Sequence, residues 1–230
     1  MLTLEGLVYR SDDFSLSADF AVPPGARVAV IGPSGSGKST LLDMIAGFLA
    51  PVQGRVLWQG NDLTRMPPGD RPISLLFQDN NLFPHLTVAQ NVGLGLRPDL
   101  RLSADQRAAV GAALARVGLA GYEARKPAAL SGGQRSRVAL ARVLLRARPL
   151  MLLDEPFAAL GPALRAEMLM LVRELADETG ATVLMVTHDP RDARALGDQT
   201  VLVAGGLAHP PQPTEALFND PPPALRAYLG

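Results

Sequence analysis

Residues Val28 to Leu42 read VAVIGPSGSGKSTLL. Four apolar residues ending at Ile31 fit a buried strand, a glycine-rich turn follows, and Lys38-Ser39-Thr40-Leu41-Leu42 opens a pattern that continues as helix. The turn has the form G-x-x-x-x-G-K-[ST], with Gly32, Gly37, Lys38 and Ser39 in the required places and Pro33, Ser34, Gly35 and Ser36 between the glycines. Backbone N–H groups converge on an anion only where no Cβ intrudes, and the following helix adds its positive N-terminal end, so the stretch suits a phosphate chain. Lys38 supplies a point charge for β- and γ-phosphates and Ser39 a hydroxyl ligand for Mg²⁺. The plainer reading, a turn that only joins strand to helix, has to accept a coincidence expected on the order of one time in a thousand at this composition.

The chain has 230 residues, enough for a sizeable core, and 22 basic residues against 22 acidic ones. This balance gives no basic field of the kind that nucleic acid requires. Only two of the basic residues are lysines, Lys38 and Lys126, which favours a chemical reason for the one in the turn. There is no cysteine, which excludes disulfides and thiolate metal sites. The opening residues MLTLEGLVYRSDD lack a basic region followed by a long apolar one, and the longest apolar runs are strand-sized, so a soluble cytoplasmic protein is expected.

Phe14, Leu16, Ala18 and Phe20 alternate with polar residues as in a half-buried strand, and Pro23-Pro24-Gly25 turns the chain into the Val28 strand. Tyr9 is either an ordinary strand aromatic or a ring that stacks on a base. Gly54 to Gly60 and Ile73 to Phe77 read as further strands, the second ending at Gln78. Helical signals then take over. Thr87 with Gln90, Ser103 with Gln106, and Ser131 with Gln134 each fit a capping box, and Val110, Leu114 and Val117 form a stripe closed by Gly118. Leu130-Ser131-Gly132-Gly133-Gln134 reads as a helix start or as a second phosphate-contacting loop, the latter making sense if it meets the nucleotide of another subunit. Leu150 to Leu153 delivers Asp154 and Glu155 at the carboxyl end of a buried strand, where open α/β sheets bind ligands. Asp154 suits a Mg²⁺ shell and Glu155 suits polarising a water. Leu164, Met168, Leu171 and Leu175 make a helical stripe stopped by Gly180, and the Thr182 to Val186 strand ends at His188. His188 is a helix-entry residue or a site residue, and its place at the end of a central strand favours the second. Residues 200–208 read as a hairpin and residues 210–230 as a proline-rich surface wrap ending in a short helix.

Gln78, LSGGQ at 130–134, the Leu150 to Pro156 stretch and His188, in that order behind the phosphate loop, resemble the ATP-binding subunit of ATP-binding-cassette transporters over essentially the whole chain. The resemblance implies an α/β fold: a P-loop NTPase core with a mixed, mostly parallel sheet, an N-terminal antiparallel β subdomain and an inserted α-helical subdomain. The implied division is 1–84 for the first part of the core, 85–148 for the helical part and 149–230 for the rest of the core. It implies ATP and Mg²⁺, with Tyr9 stacking on adenine, the 32–40 loop on the phosphates, and Ser39, Gln78 and Asp154 about the metal. Glu155 becomes the general base, His188 the γ-phosphate contact, Gln78 the residue touching metal and attacking water, and Ser131, Gly132, Gly133 and Gln134 the signature that closes over ATP on the opposite subunit. The implied partners are a second copy of the chain, an integral membrane permease and, indirectly, a periplasmic solute-binding protein. The implied location is peripheral, on the cytoplasmic face of the inner membrane.

One residue departs from the family pattern S-A-L-D: the run here is Ala158-Ala159-Leu160-Gly161, with glycine where an aspartate normally crosses the dimer seam. Met66-Pro67-Pro68, Arg71-Pro72 and the stretch LFQDNNLFPHLTVAQNVGLGL at 76–96 are most similar to the ATPase subunits of bacterial thiamine importers. Another small-solute importer, for iron, sulfate or polyamine, a soluble cassette ATPase outside transport, and a nucleotide-binding regulator without turnover are the alternatives.

Overall fold

The structure is a computed structural model and describes residues 1–77, 79, 81–158 and 160–229. Strands β1 (Leu2–Ser11) and β2 (Phe14–Val22) form an antiparallel hairpin, and Leu16, Ala18, Phe20 and Val22 of β2 are buried, as the two-residue period requires. The buried strand β3 (Arg27–Ile31) leads through the glycine turn into helix α1 (Lys38–Ala46). Arg71, 1% exposed, donates to the carbonyls of Met44 and Ile45 at 3.0 and 2.6 Å, so a guanidinium neutralises the negative end of α1.

Three strands follow: β4 (Gln53–Trp58), β5 (Asn61–Asp62) and β6 (Ile73–Leu76). The strand expected over 54–60 stops at Trp58 because Gln59 and Gly60 both take positive φ, 51° and 83°, the pair needed for a two-residue turn into β5. Helices α2 (Val88–Gly93), α3 (Ala104–Arg116) and α4 (Gly132–Arg146) come next, and all three expected capping boxes are formed.

The second half alternates strand and helix: β7 (Leu150–Asp154), α5 (Pro162–Thr179), β8 (Thr182–Val186), α6 (Pro190–Leu196), β9 (Gln199–Ala204) and β10 (Leu207–Ala208). The tail ends in the expected short helix but is otherwise more than a surface wrap. It forms β11 (Gln212–Pro213), α7 (Thr214–Asn219) and α8 (Pro223–Leu229), and Leu217, Phe218 and Leu225 are buried against Ile31 and Leu202.

Among the described residues the strands run in the order β5-β4-β1-β2-β10-β9-β3-β8-β7-β6, with β11 added on β9. The block β9-β3-β8-β7-β6 is parallel, and the β1, β2, β4 and β5 end is antiparallel. Leu150, Leu152, Leu184 and Val186 pack with α1 on one face, while Met151, Leu153, Val183 and Met185 pack with α4 and α5 on the other. Burial on both faces is why these strands are unbroken apolar runs. Register decides the site: Val30 pairs with Val186, and Val186 pairs with Asp154, so β3, β8 and β7 end at one level.

Candidate nucleotide site

The level ends of β3, β8 and β7 open into a cavity of about 680 Å³ at the carboxyl edge of the sheet. Gly32, Ser34, Gly35, Gly37, Lys38, Ser39 and Thr40 form its floor, and Glu155 and His188 form one wall. Two glycines are dictated by close approach. A Cβ on Gly32 would stand 2.0 Å from the Val203 carbonyl oxygen, and one on Gly37 would stand 2.6 Å from the Phe14 ring, with φ of 153° and 103°.

Lys38 is 8% exposed, and its Nζ donates to the carbonyls of Gly32 and Pro33 at 2.8 Å each. Burial lowers its pKa, while the charges of Glu155 and Asp154 oppose that shift. Asp154 is displaced the other way: burial raises its pKa and Glu155 adds to the rise, against the Ser39 hydroxyl and Lys38. Two buried oxygens in this region, Ser36 Oγ and Asp154 Oδ1, have no hydrogen-bond partner among the described residues. Orphaned oxygens of this kind cost stability unless a ligand completes them.

The donor set fits Mg²⁺. A hydroxyl on Ser39 and a carboxylate with an unpartnered oxygen on Asp154 are hard oxygen ligands, and no cluster of three or more His, Cys, Asp or Glu forms a cage among the described residues. Mg²⁺ is commonly held this way, by one or two protein oxygens together with substrate phosphates. Gln78, the third expected ligand, lies outside the described residues.

Glu155 sits in the left-handed region at φ 42°, a backbone strain of about 1–3 kcal/mol for a non-glycine residue. Its N–H donates to the Val186 carbonyl at 3.1 Å, so the kink is held by β8 itself. The side chain reaches His188, whose Nδ1 stands 3.1 Å from Glu155 Oε2. Asp189 caps α6 by accepting from Arg191 N, with Pro190 in the first turn, so His188 stands just before a helix start and also lines the cavity.

Several expected site residues lie elsewhere. Ser131, Gly132, Gly133 and Gln134 occupy the N-terminus of α4 and form no part of the cavity wall. Tyr9 does not line the cavity. Its ring centroid is 6.3 Å from that of Phe14, which does. Phe14 and Tyr228 are the wall residues that sequence reasoning missed. Phe14 was legible only as one apolar position in an alternating strand, and Tyr228 lay in the tail.

Residues 16–158 match the family described as ABC transporter. The thiamine import ATP-binding protein ThiQ of Cereibacter sphaeroides is 67% identical over 230 residues, covering 100% of both chains. The protein of the same name from a Ruegeria species is 60% identical over 230 residues, again covering 100% of both. A dimeric ATP-binding cassette in a post-hydrolysis state, bound to ADP and Pi, matches the fold with a TM-score of 0.82 at 30% identity, covering 93% of this chain and 99% of that one. The chain belongs to the ABC transporter family, as its ATP-hydrolysing cassette.

Proposed function

We propose that this chain is the ATPase subunit of a bacterial importer for thiamine and its phosphate esters, working through a separate membrane permease. The observation that carries the chemistry is the convergence of Lys38, Asp154, Glu155 and His188 at the ends of three adjacent strands. The thiamine assignment is supported by identity of 67% along both full lengths with a protein named for thiamine import.

Loop N–H groups and Lys38 bind the β- and γ-phosphates, and Phe14 or Tyr9 offers a ring to the base. Ser39 and Asp154, together with Gln78, would hold Mg²⁺, which would offset negative charge on the phosphates. Glu155 accepts a proton from a water that attacks the γ-phosphorus, the bond to the β-γ bridging oxygen breaks, and ADP and phosphate form. His188, oriented through Nδ1 by Glu155, presents Nε2 to the γ-phosphate.

The Ser131 loop is a half-site with no nucleotide of its own, so a twofold pair in which each copy lends it to the other completes two sites at once. A groove of about 420 Å³ lined by Phe48, Phe77, Phe83 and Leu94 receives the permease. No helix among the described residues is long and apolar enough to cross a membrane, so a place on the cytoplasmic face of the inner membrane comes from that docking. The division into 1–84, 85–148 and 149–230 follows the same roles.

The test is uptake of labelled thiamine in a strain that cannot make it. Deleting this gene, with no duplicate importer present, abolishes high-affinity uptake, and the wild-type gene restores it. Normal uptake in the deletion strain overturns the substrate and points to an iron, sulfate or polyamine importer, leaving the ATPase reading in place.

A further inference from the structure

Tyr228 enters the nucleotide cavity from the last described helix, forty residues beyond His188, and its hydroxyl donates to the His188 carbonyl at 2.6 Å. Helix α8 is not loosely placed. Leu225 is fully buried beside Phe218, Ile31 and Ala193, so the phenol is presented from a packed core that shares β3 with the phosphate loop.

The peptide joining His188 to Asp189 is held at both polar atoms. Its oxygen accepts from Tyr228, and its nitrogen, Asp189 N, donates to Thr187 Oγ1 at 3.1 Å. Thr187 Oγ1 in turn donates to Asp192 Oδ2 at 2.8 Å inside α6. A peptide plane tied on both sides cannot rotate, which fixes the direction in which the His188 side chain leaves the backbone. The ring is then set by its contact with Glu155, and Nε2 is left for the ligand.

We propose that Tyr228 is a positioning residue for ATP hydrolysis, a latch through which α8 fixes His188 in its catalytic orientation. The proposal rests on the reading of His188 as the γ-phosphate contact. Burial, with the nearby charges of Glu155 and Asp189, raises the Tyr228 pKa, so the phenol keeps its proton and remains a donor at neutral pH. Without the hydroxyl, only the Asp189 N–H bond to Thr187 holds the 188–189 peptide, its carbonyl can tilt, and displacements on the order of 1 Å at a catalytic group are costly to turnover.

Tyr228→Phe removes only the oxygen and keeps the ring in place. With Mg-ATP, kcat for ATP hydrolysis by the full chain is expected to fall about three- to tenfold, the range set by one hydrogen bond. KM for ATP stays at its wild-type value and the melting temperature falls by no more than about 4 °C, the share of one hydrogen bond, because the phosphate loop and the α8 core are untouched. The chain has three histidines, so the His188 imidazole resonance is assigned by its loss in His188→Ala. In Tyr228→Phe that resonance shifts or broadens while those of His85 and His209 stay in place. A wild-type kcat, an unmoved His188 resonance, or a loss of activity explained by unfolding at the assay temperature overturns the latch while His188→Ala remains inactive. If His188→Ala hydrolyses ATP at the wild-type rate, the underlying reading of His188 fails, and the latch fails with it.

Discussion

His188 Nδ1 and Glu155 Oε2 stand 3.1 Å apart, at the ends of the neighbouring parallel strands β8 and β7. On the proposed assignment the pair joins the proton acceptor and the γ-phosphate contact into one unit, so each orients the other. Glu155→Gln keeps the shape and a hydrogen-bonding oxygen but removes the base. We expect it to retain ATP binding and to lose about 100-fold or more in kcat, the scale of general-base catalysis. Lys38→Ala should fail earlier, at nucleotide affinity. Equilibrium binding and phosphate release separate the two, and a Glu155→Gln variant turning over like wild type would remove Glu155 from the mechanism.

Asp154 provides a test through pH and stability. Burial raises its pKa, so the folded, ligand-free protein binds this proton more tightly than the unfolded chain. The associated stability is present at acid pH and is lost as pH rises from the ordinary carboxylate range through the raised value, which leaves the ionised group a cost near neutrality. Asp154→Asn should therefore raise the melting temperature of the ligand-free protein at neutral pH, by ~2 °C. The variant should also lose the extra stabilisation that Mg²⁺ gives in the presence of ATP. A thermal melt with and without Mg-ATP reads both signs.

What could be read from the chain was what neighbours in sequence decide. The glycine turn, the three capping boxes and the doubly buried strands are set within a few residues of themselves, and they are where the sequence placed them. The level ends of β3, β8 and β7 depend on pairings between distant segments, Val30 with Val186 and Asp154 with Val186, which no local pattern encodes. Likewise Phe14 against Gly37, and Arg71 over the end of α1, are contacts between distant segments. The tail was legible only in part: the short terminal helix is α8, which begins at Pro223, where a missing N–H is harmless, while β11 and α7 and their packing on β3 and β9 depend on distant contacts.

Ser131 is an N-cap in this structure, accepting from Gln134 N, so a plain helix start explains it within one chain. Aspartate is as good an N-cap as serine, which makes Ser131→Asp a discriminating change. The variant should melt like wild type and bind ATP. In the Glu155→Gln background, where ATP is expected to bind without turnover, it should fail to form an ATP-dependent dimer, because a carboxylate would face the γ-phosphate of the partner. Light scattering with Mg-ATP, on the double variant, measures the outcome. A full dimer would return Ser131 to a capping role alone.

Phe48 and Phe83 are 51% and 47% exposed at the mouth of the groove beside α4, and the Phe48 ring lies 5.7 Å from that of Phe77. Exposed aromatics around a groove mark a surface that a partner covers. Phe83→Asp should abolish thiamine uptake in cells while changing the ATP affinity of the purified chain less than about twofold, since it lies outside the nucleotide cavity. Unimpaired uptake would move the permease contact elsewhere.

Gly161 is the N-cap of α5, with φ −65° and ψ 157°, and it offers no side-chain acceptor to the first turn. These angles do not require glycine, and an added Cβ would meet nothing within 4 Å. The position thus accepts the aspartate that the wider family pattern has, without strain. The cap alone should add a few tenths of a kcal/mol, or about 1 °C in melting temperature. Helix α5 also carries Arg165, which reaches Asp192 and Asp189 beside His188, so a contact made at residue 161 across a dimer seam has a short route to the catalytic wall. Gly161→Asp should then steepen the dependence of ATPase rate on ATP concentration, whereas Gly161→Asn should provide the same cap without the charge. A steeper curve in the aspartate variant alone assigns the signal to the carboxylate. Equal curves in both variants would confine residue 161 to the start of the helix.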